Sequence, residues 1–204
     1  MAFKVYISPS NQPLNKYNGV NTNERDNCRE IAKKLKIALE KCGITVKIGL
    51  NGSDNIAESN AWGADLHLPL HTNAFNKKAR GAMVLVYSKD KENLKFANPI
   101  FKHLKSVVLK QDSTRGITVR QDLKEINSTK AVTAYIEIDF HDVKTVAKWL
   151  VNKHDVIVAA ITKGICEGAN IEYPKKSDAL KIKKLKKEIS SLKAKIKNAQ
   201  KALK

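Results

Sequence analysis

The chain reads as an α/β protein: a twisted, mostly parallel or mixed sheet with helices on both faces, followed by a C-terminal helical tail. Three observations predict this. Short β-branched apolar runs alternate with stretches of helical periodicity. Several of those runs lack a polar face, as expected of strands covered on both sides. From residue 175 onward the composition changes abruptly to lysine and regularly spaced Ile and Leu, which divides the chain into a domain over 1–174 and a Lys-rich amphipathic helix or short coiled coil over 175–204.

The elements follow in order. Phe3 to Ile7 is a first strand. Arg25 to Lys41 places Ile31, Leu35, Ala38 and Leu39 on one face of a helix, and Gly43 caps it. Ile44 to Leu50 is a second strand, which completes a βαβ unit. A polar segment over Ser53 to Ala61 leads to a strand that ends at His71, and Gly81 opens another over Ala82 to Tyr87. Asn93 to Leu109 has helical spacing but contains Pro99, which predicts a kink or a split. Thr133 to Ile138 is a further strand. Val143 to Glu167 reads as one long amphipathic helix with Ala147, Leu150, Val151, Ile157, Val158 and Ile161 inward.

Composition narrows the function classes. With 204 residues and 42% hydrophobic content the chain buries one good core, and it has no apolar run long enough to span a bilayer. The N-terminus enters a strand pattern directly, without the basic and apolar regions of a secretory signal. Cytoplasmic synthesis with no built-in export is the expectation. Cys28, Cys42 and Cys166 follow no metal spacing, and reduced, packed thiols are expected. The net charge is +18, of which twelve lysines against Asp178 and Glu188 put +10 on the tail. Arginine, the residue suited to reading base edges, is scarce, so nucleic acid is disfavoured. Lysines fit a diffuse polyanion such as nucleic acid phosphate, teichoic acid or an anionic membrane, or simply a solvated surface.

The richest segment is Asp65 to Phe75, Asp-Leu-His-Leu-Pro-Leu-His-Thr-Asn-Ala-Phe. Pro69 opposes a helix here, and Leu68 stands where the helical zinc-protease motif needs Glu. On a strand, His67 and His71 share a face roughly 13 Å apart, too far to hold one ion together. His71, at the strand end where groups gather in α/β sheets, is the site candidate. His67 reads as a buried, hydrogen-bonded residue, and His103 and His154 as helix-surface residues. Glu24 stands at a helix start, where a carboxylate is also favoured by the dipole alone. Glu137, within Ala-Tyr-Ile-Glu-Ile, costs several kcal/mol to bury unless it is paired or functional.

The stretch from Ala64 to Ala74 and the later Ala134-Tyr135-Ile136-Glu137-Ile138-Asp139-Phe140-His141, together with the order of elements, resemble the zinc-dependent N-acetylmuramoyl-L-alanine amidases of the amidase-3 type. That family includes phage endolysins and bacterial autolysins. The resemblance covers residues 1 to about 170. It implies a peptidoglycan hydrolase that cleaves the amide between N-acetylmuramic acid and L-alanine with a zinc-activated water, acting at the bacterial cell wall after release. Carried over by residue, Glu24 and His71 match zinc ligands and Glu137 the catalytic glutamate. The family's first histidine does not carry over: Ser8-Pro9-Ser10-Asn11-Gln12 replaces Asp-Pro-Gly-His-Gly and puts Asn11 at that position. His141 is the candidate replacement, with Asn11 or water as alternatives. Asn73 and Arg120 are candidates for holding the peptide stem. The missing histidine also leaves open a non-catalytic polyanion or cell-wall binding protein on the same fold.

In the tail, Ile182, Leu185, Ile189, Leu192, Ile196, Ala199 and Leu203 alternate three and four apart. That predicts a weak parallel homodimer through residues 182–203. A basic amphipathic helix on an anionic wall polymer or membrane is the rival reading.

Overall fold

The computed structural model describes residues 2–50, 52–174, 188–193, 196 and 200. In chain order the elements are β1 (Lys4–Pro9), α1 (Glu24–Glu40), β2 (Thr45–Ile48), a 3-10 turn (Gly52–Asp54), α2 (Asn55–Trp62), β3 (Leu66–Asn73), β4 (Met83–Val86), α3 (Lys91–Lys105), β5 (Ile117–Val119), α4 (Lys124–Asn127), β6 (Val132–Thr133), β7 (Tyr135–Phe140), α5 (Lys144–Asn152) and α6 (His154–Ala169). The chain divides into two compact units, residues 1–172 and 173–204. In the second, residues 188–193, 196 and 200 are helical. Most of the predicted coiled-coil segment lies outside the described residues.

The seven strands form one sheet in the order β2-β1-β3-β7-β4-β5, with β6 also on β3. Every pairing is parallel except β4 with β7. The predicted mixed sheet is therefore correct. Crossover helices cover both faces, as parallel connections require. Helices α1 and α3 both pack against α6, with α1 against β1 and β3. On the other face, α2 sets Trp62 at 6.3 Å from the Tyr6 ring and Ser59 against His67.

Several elements differ from the sequence reading. The predicted long helix is two, because Lys153 leaves helical backbone at φ −121°, ψ 29°. His154 Nε2 lies 2.8 Å from Asn27 Oδ1 and pins the start of α6 to α1. Pro99 does not split α3, which runs unbroken from Lys91 to Lys105. Next to Pro99, a Cβ on Gly164 of α6 would meet Ile100 Cα at 2.5 Å, so only glycine lets the two backbones approach. Pro69 stands within a central strand, a rare place for proline. It lies opposite the point where β6 gives way to β7, between the His67–Thr133 and Leu70–Ile136 pairs. The polar segment before β3 is the helix α2, and the short β5 and α4 carried too little periodicity to be read in advance.

Candidate active site

Strand alternation places the site. His71 pairs with Glu137 across β3 and β7, and Glu137 pairs with Met83 across β7 and β4. One step beyond the Pro9–Leu70 pair, Ser10 donates its N–H to Leu70 O at 3.0 Å. The chain then turns through Gln12 and Asn15 and enters α1. Asn23 caps that helix by accepting from Asp26 N at 3.0 Å. Glu24, the first residue of α1, is thereby held at the C-terminal edge of the sheet.

There Glu24 meets His71. Glu24 Oε1 lies 2.8 Å from His71 Nδ1, and Glu24 is 1% exposed. Its Oε1 also accepts from Thr72 N at 3.4 Å, and Oε2 accepts from Asn15 Nδ2 at 2.6 Å. Burial would raise the Glu24 pKa, but the hydrogen bond and charge of His71, with help from Asn15 and Ser10, hold it below the usual carboxylate range. Burial would likewise discharge His71; the Glu24 hydrogen bond and the charges of Glu137 and Glu24 reverse this and keep its pKa raised. Both shifts favour a Glu24 carboxylate facing a protonated His71 ring.

Glu137 contrasts with them. Its Oε2 is buried with no hydrogen-bond partner, and burial pushes its pKa up to about 7, opposed in part by the His71 charge. Tyr135, two residues earlier on the same face, stacks on the His71 ring at 4.6 Å. Burial and the charge of Glu137 drive the Tyr135 phenol well above its ordinary range.

His141 takes a different position. Its Nδ1 lies 3.0 Å from Thr72 Oγ1 and 3.2 Å from Thr72 O, and its ring stacks flat on Tyr17 at 5.0 Å. Thr72 projects from β3 opposite to His71. Burial lowers the His141 pKa, which favours the neutral ring. Among the described residues no three His, Cys, Asp or Glu side chains are grouped so as to hold a metal ion. The expected set of Glu24, His71 and His141 is thus assembled only as far as its first two members. Asn11 does not complete it, because its Oδ1 accepts from Arg29 at 3.2 Å.

His67, fully buried, has Nδ1 2.9 Å from Ser59 Oγ and Nε2 3.4 Å from Glu125 Oε1, the structural role expected of it. Ser8 joins the same Glu125 oxygen and accepts from Asn55 at 2.9 Å. Arg120 is engaged by Asp122 through two contacts of 2.7 Å, yet its charge still acts on Glu137. Asn73 Oδ1 accepts from Ala74 N at 2.8 Å. Sequence reasoning missed Tyr135, Ser10 and Asn15. The i, i+2 spacing of Tyr135 and Glu137 was the one signal available for the first.

Residues 14–167 match Amidase_3, N-acetylmuramoyl-L-alanine amidase. The chain belongs to this amidase family. Among solved structures, the amidase domain is similar to the catalytic domain of the CD27L endolysin targeting Clostridia difficile, at 26% identity and TM-score 0.67 over 80% of this chain and 96% of that one. It shares its fold with the CwlD amidase of Clostridioides difficile, solved with the GerS lipoprotein, at 20% identity and TM-score 0.73 over 82% and 98%. It also shares it with CwlV of Paenibacillus polymyxa, at 14% identity and TM-score 0.73 over 83% and 99%. No curated protein matches the chain.

Proposed function

We propose that this protein hydrolyses the amide between N-acetylmuramic acid and L-alanine in peptidoglycan, with Glu24 and His71 holding a zinc ion and Glu137 moving the proton. The observation that carries the reading is the pairing of a buried carboxylate and imidazole at 2.8 Å beside a buried glutamate oxygen with no partner. Carboxylate oxygen and imidazole nitrogen are zinc donors, and two donors in contact at a sheet edge fit the metal that the family uses. A zinc ion held there supplies Lewis acidity, polarising a carbonyl and acidifying water toward a pKa of about 7.

The chain's own groups do the rest. Glu24 keeps its charge against burial because Asn15, Ser10 and Thr72 N support it. Tyr135, stacked on His71, fixes the plane of the imidazole. Glu137, poised at about 7 by burial, both accepts a proton from the attacking water and returns it to the departing amine of L-alanine near neutral pH. Thr72 and Tyr17 hold His141 behind the strand end, where it braces β3 through the backbone. Action at the cell wall after release belongs to the same proposal and rests on the family's substrate, and so does attraction of the lysine-rich tail to anionic wall polymer, which rests on charge. So does a homodimer through residues 182–203, which rests on the spacing of apolar residues alone.

Cell-wall digestion followed by assay of newly freed amino termini tests it. Wild type is expected to release L-alanine termini and Glu137→Ala to release almost none. Equal release by both overturns the role of Glu137. A protein that binds walls without releasing termini favours the polyanion-binding alternative.

A further inference from the structure

We propose that Cys42 and Cys166 form a redox site, independent of the hydrolytic chemistry, which closes to a disulfide and staples the end of α1 to α6 when a low-molecular-weight disulfide acts as oxidant. Helices α1 and α6 pack side by side and run in the same direction. At their starts His154 Nε2 lies 2.8 Å from Asn27 Oδ1, and Lys34 Nζ donates to Asp155 Oδ1 at 2.8 Å. From the first of these contacts a rise of roughly 20 Å along each helix leads to Cys42 and to Cys166. There the two thiols hydrogen-bond to one another.

Helix termination fixes both backbones. Cys42 N donates to Leu39 O at 2.9 Å and its Sγ to Ala38 O at 3.4 Å, just before Gly43 at φ 78° turns the chain toward β2. Cys166 O accepts from Ile171 N at 2.9 Å where α6 ends. Both cysteines are free thiols, Cys42 half-buried and Cys166 1% exposed. The more accessible Cys42 reacts first: its thiolate attacks one sulfur of the oxidant R–S–S–R, forms a mixed disulfide and expels R–S⁻. The Cys166 thiolate then attacks the Cys42 sulfur and expels the second R–S⁻, so two protein thiols are oxidised and one small disulfide is reduced to two thiols, which take up the protons the cysteines lose. Burial pushes the Cys166 thiol up to about 12 and raises Cys42 as well, so closure is slow near neutrality. Cys28 takes no part, because it is fully buried and roughly 21 Å of helix separates it from Cys42. A reducing compartment keeps the pair open and an oxidising one closes it. The closed loop spans most of the folded unit, the case in which a cross-link restricts the unfolded chain most.

The test incubates the purified full chain under native, mildly alkaline conditions with bis(2-hydroxyethyl) disulfide, followed by intact mass, peptide mapping and thermal unfolding. Wild type is expected to lose about 2 Da, as one internal disulfide requires, to yield a Cys42–Cys166 cross-linked peptide with Cys28 still a thiol, and to remain monomeric through this bond. Its Tm should rise by at least about 5 °C and return to the starting value with dithiothreitol. Cys166→Ala should stop at the mixed disulfide on Cys42, and Cys42→Ser should keep both remaining thiols. Wild type that keeps all three thiols, that holds a persistent mixed disulfide on Cys42, or that cross-links between chains instead overturns the site. A Cys42–Cys166 bond that leaves Tm unchanged or lowers it overturns the staple.

Discussion

His67 and His71 lie four residues apart on one face of β3, and the structure gives them opposite lives. His67 is sealed beneath α2 and α4, with both ring nitrogens engaged by Ser59 and Glu125. His71 reaches the sheet edge, where one nitrogen meets Glu24 and a glutamate oxygen without a partner stands on the neighbouring strand. The same residue type is inert where every polar atom is matched and chemically poised where the matching is left incomplete. What separates the two is depth along a strand and the company that neighbouring elements bring.

The largest effect that would break this contrast is on catalysis. Glu137→Gln keeps the shape of the side chain and removes the base, so turnover on purified peptidoglycan should fall by roughly 10²–10⁴-fold, with an unchanged circular dichroism spectrum. A smaller loss moves the proton transfer to another group. Next comes stability at the buried histidine. His67→Ala leaves Ser59 and Glu125 unmatched around a cavity and should cost about 2–4 kcal/mol in denaturant unfolding, while the folded fraction keeps its turnover.

A third test uses pH. Burial gives Glu137 a pKa of about 7 in the folded protein against an ordinary value of 4.5. Between those values the unfolded chain has already lost the proton that the folded chain retains, so stability of the metal-free protein falls as pH rises through this window. Glu137→Gln should flatten that slope and stabilise the neutral, metal-free protein by on the order of 1–2 kcal/mol. An unchanged slope contradicts the buried carboxyl. The smallest effect expected is at Tyr135: Tyr135→Leu removes the ring stacked on His71 and should lower turnover by about tenfold or less, corresponding to about 1 kcal/mol, measured at a saturating wall concentration.

Much of this was legible in the residues. The βαβ opening, the strand that carries His71 and the buried Glu137 all follow from apolar periodicity and the cost of burying charge. His141 was harder. It neighbours the right strand, but its orientation depends on Thr72 projecting to the other side of β3 and on Tyr17 stacking beneath it, and neither contact leaves a pattern in the chain. The break at Lys153 was hidden because apolar spacing continues across it, and the close approach of Ile100, next to Pro99 in α3, to Gly164 of α6 leaves no local pattern in the chain. Gln12 and Asn15 sit in a loop without period, where only coordinates reveal which amide meets Glu24.

The most direct measurement is release of L-alanine amino termini from peptidoglycan by wild type, His67→Ala and His71→Ala, compared at matched concentrations of folded protein. The account predicts that His67→Ala stays within a few-fold of wild type and that His71→Ala releases almost nothing. Equal loss in both variants, or retained release by His71→Ala, would contradict it.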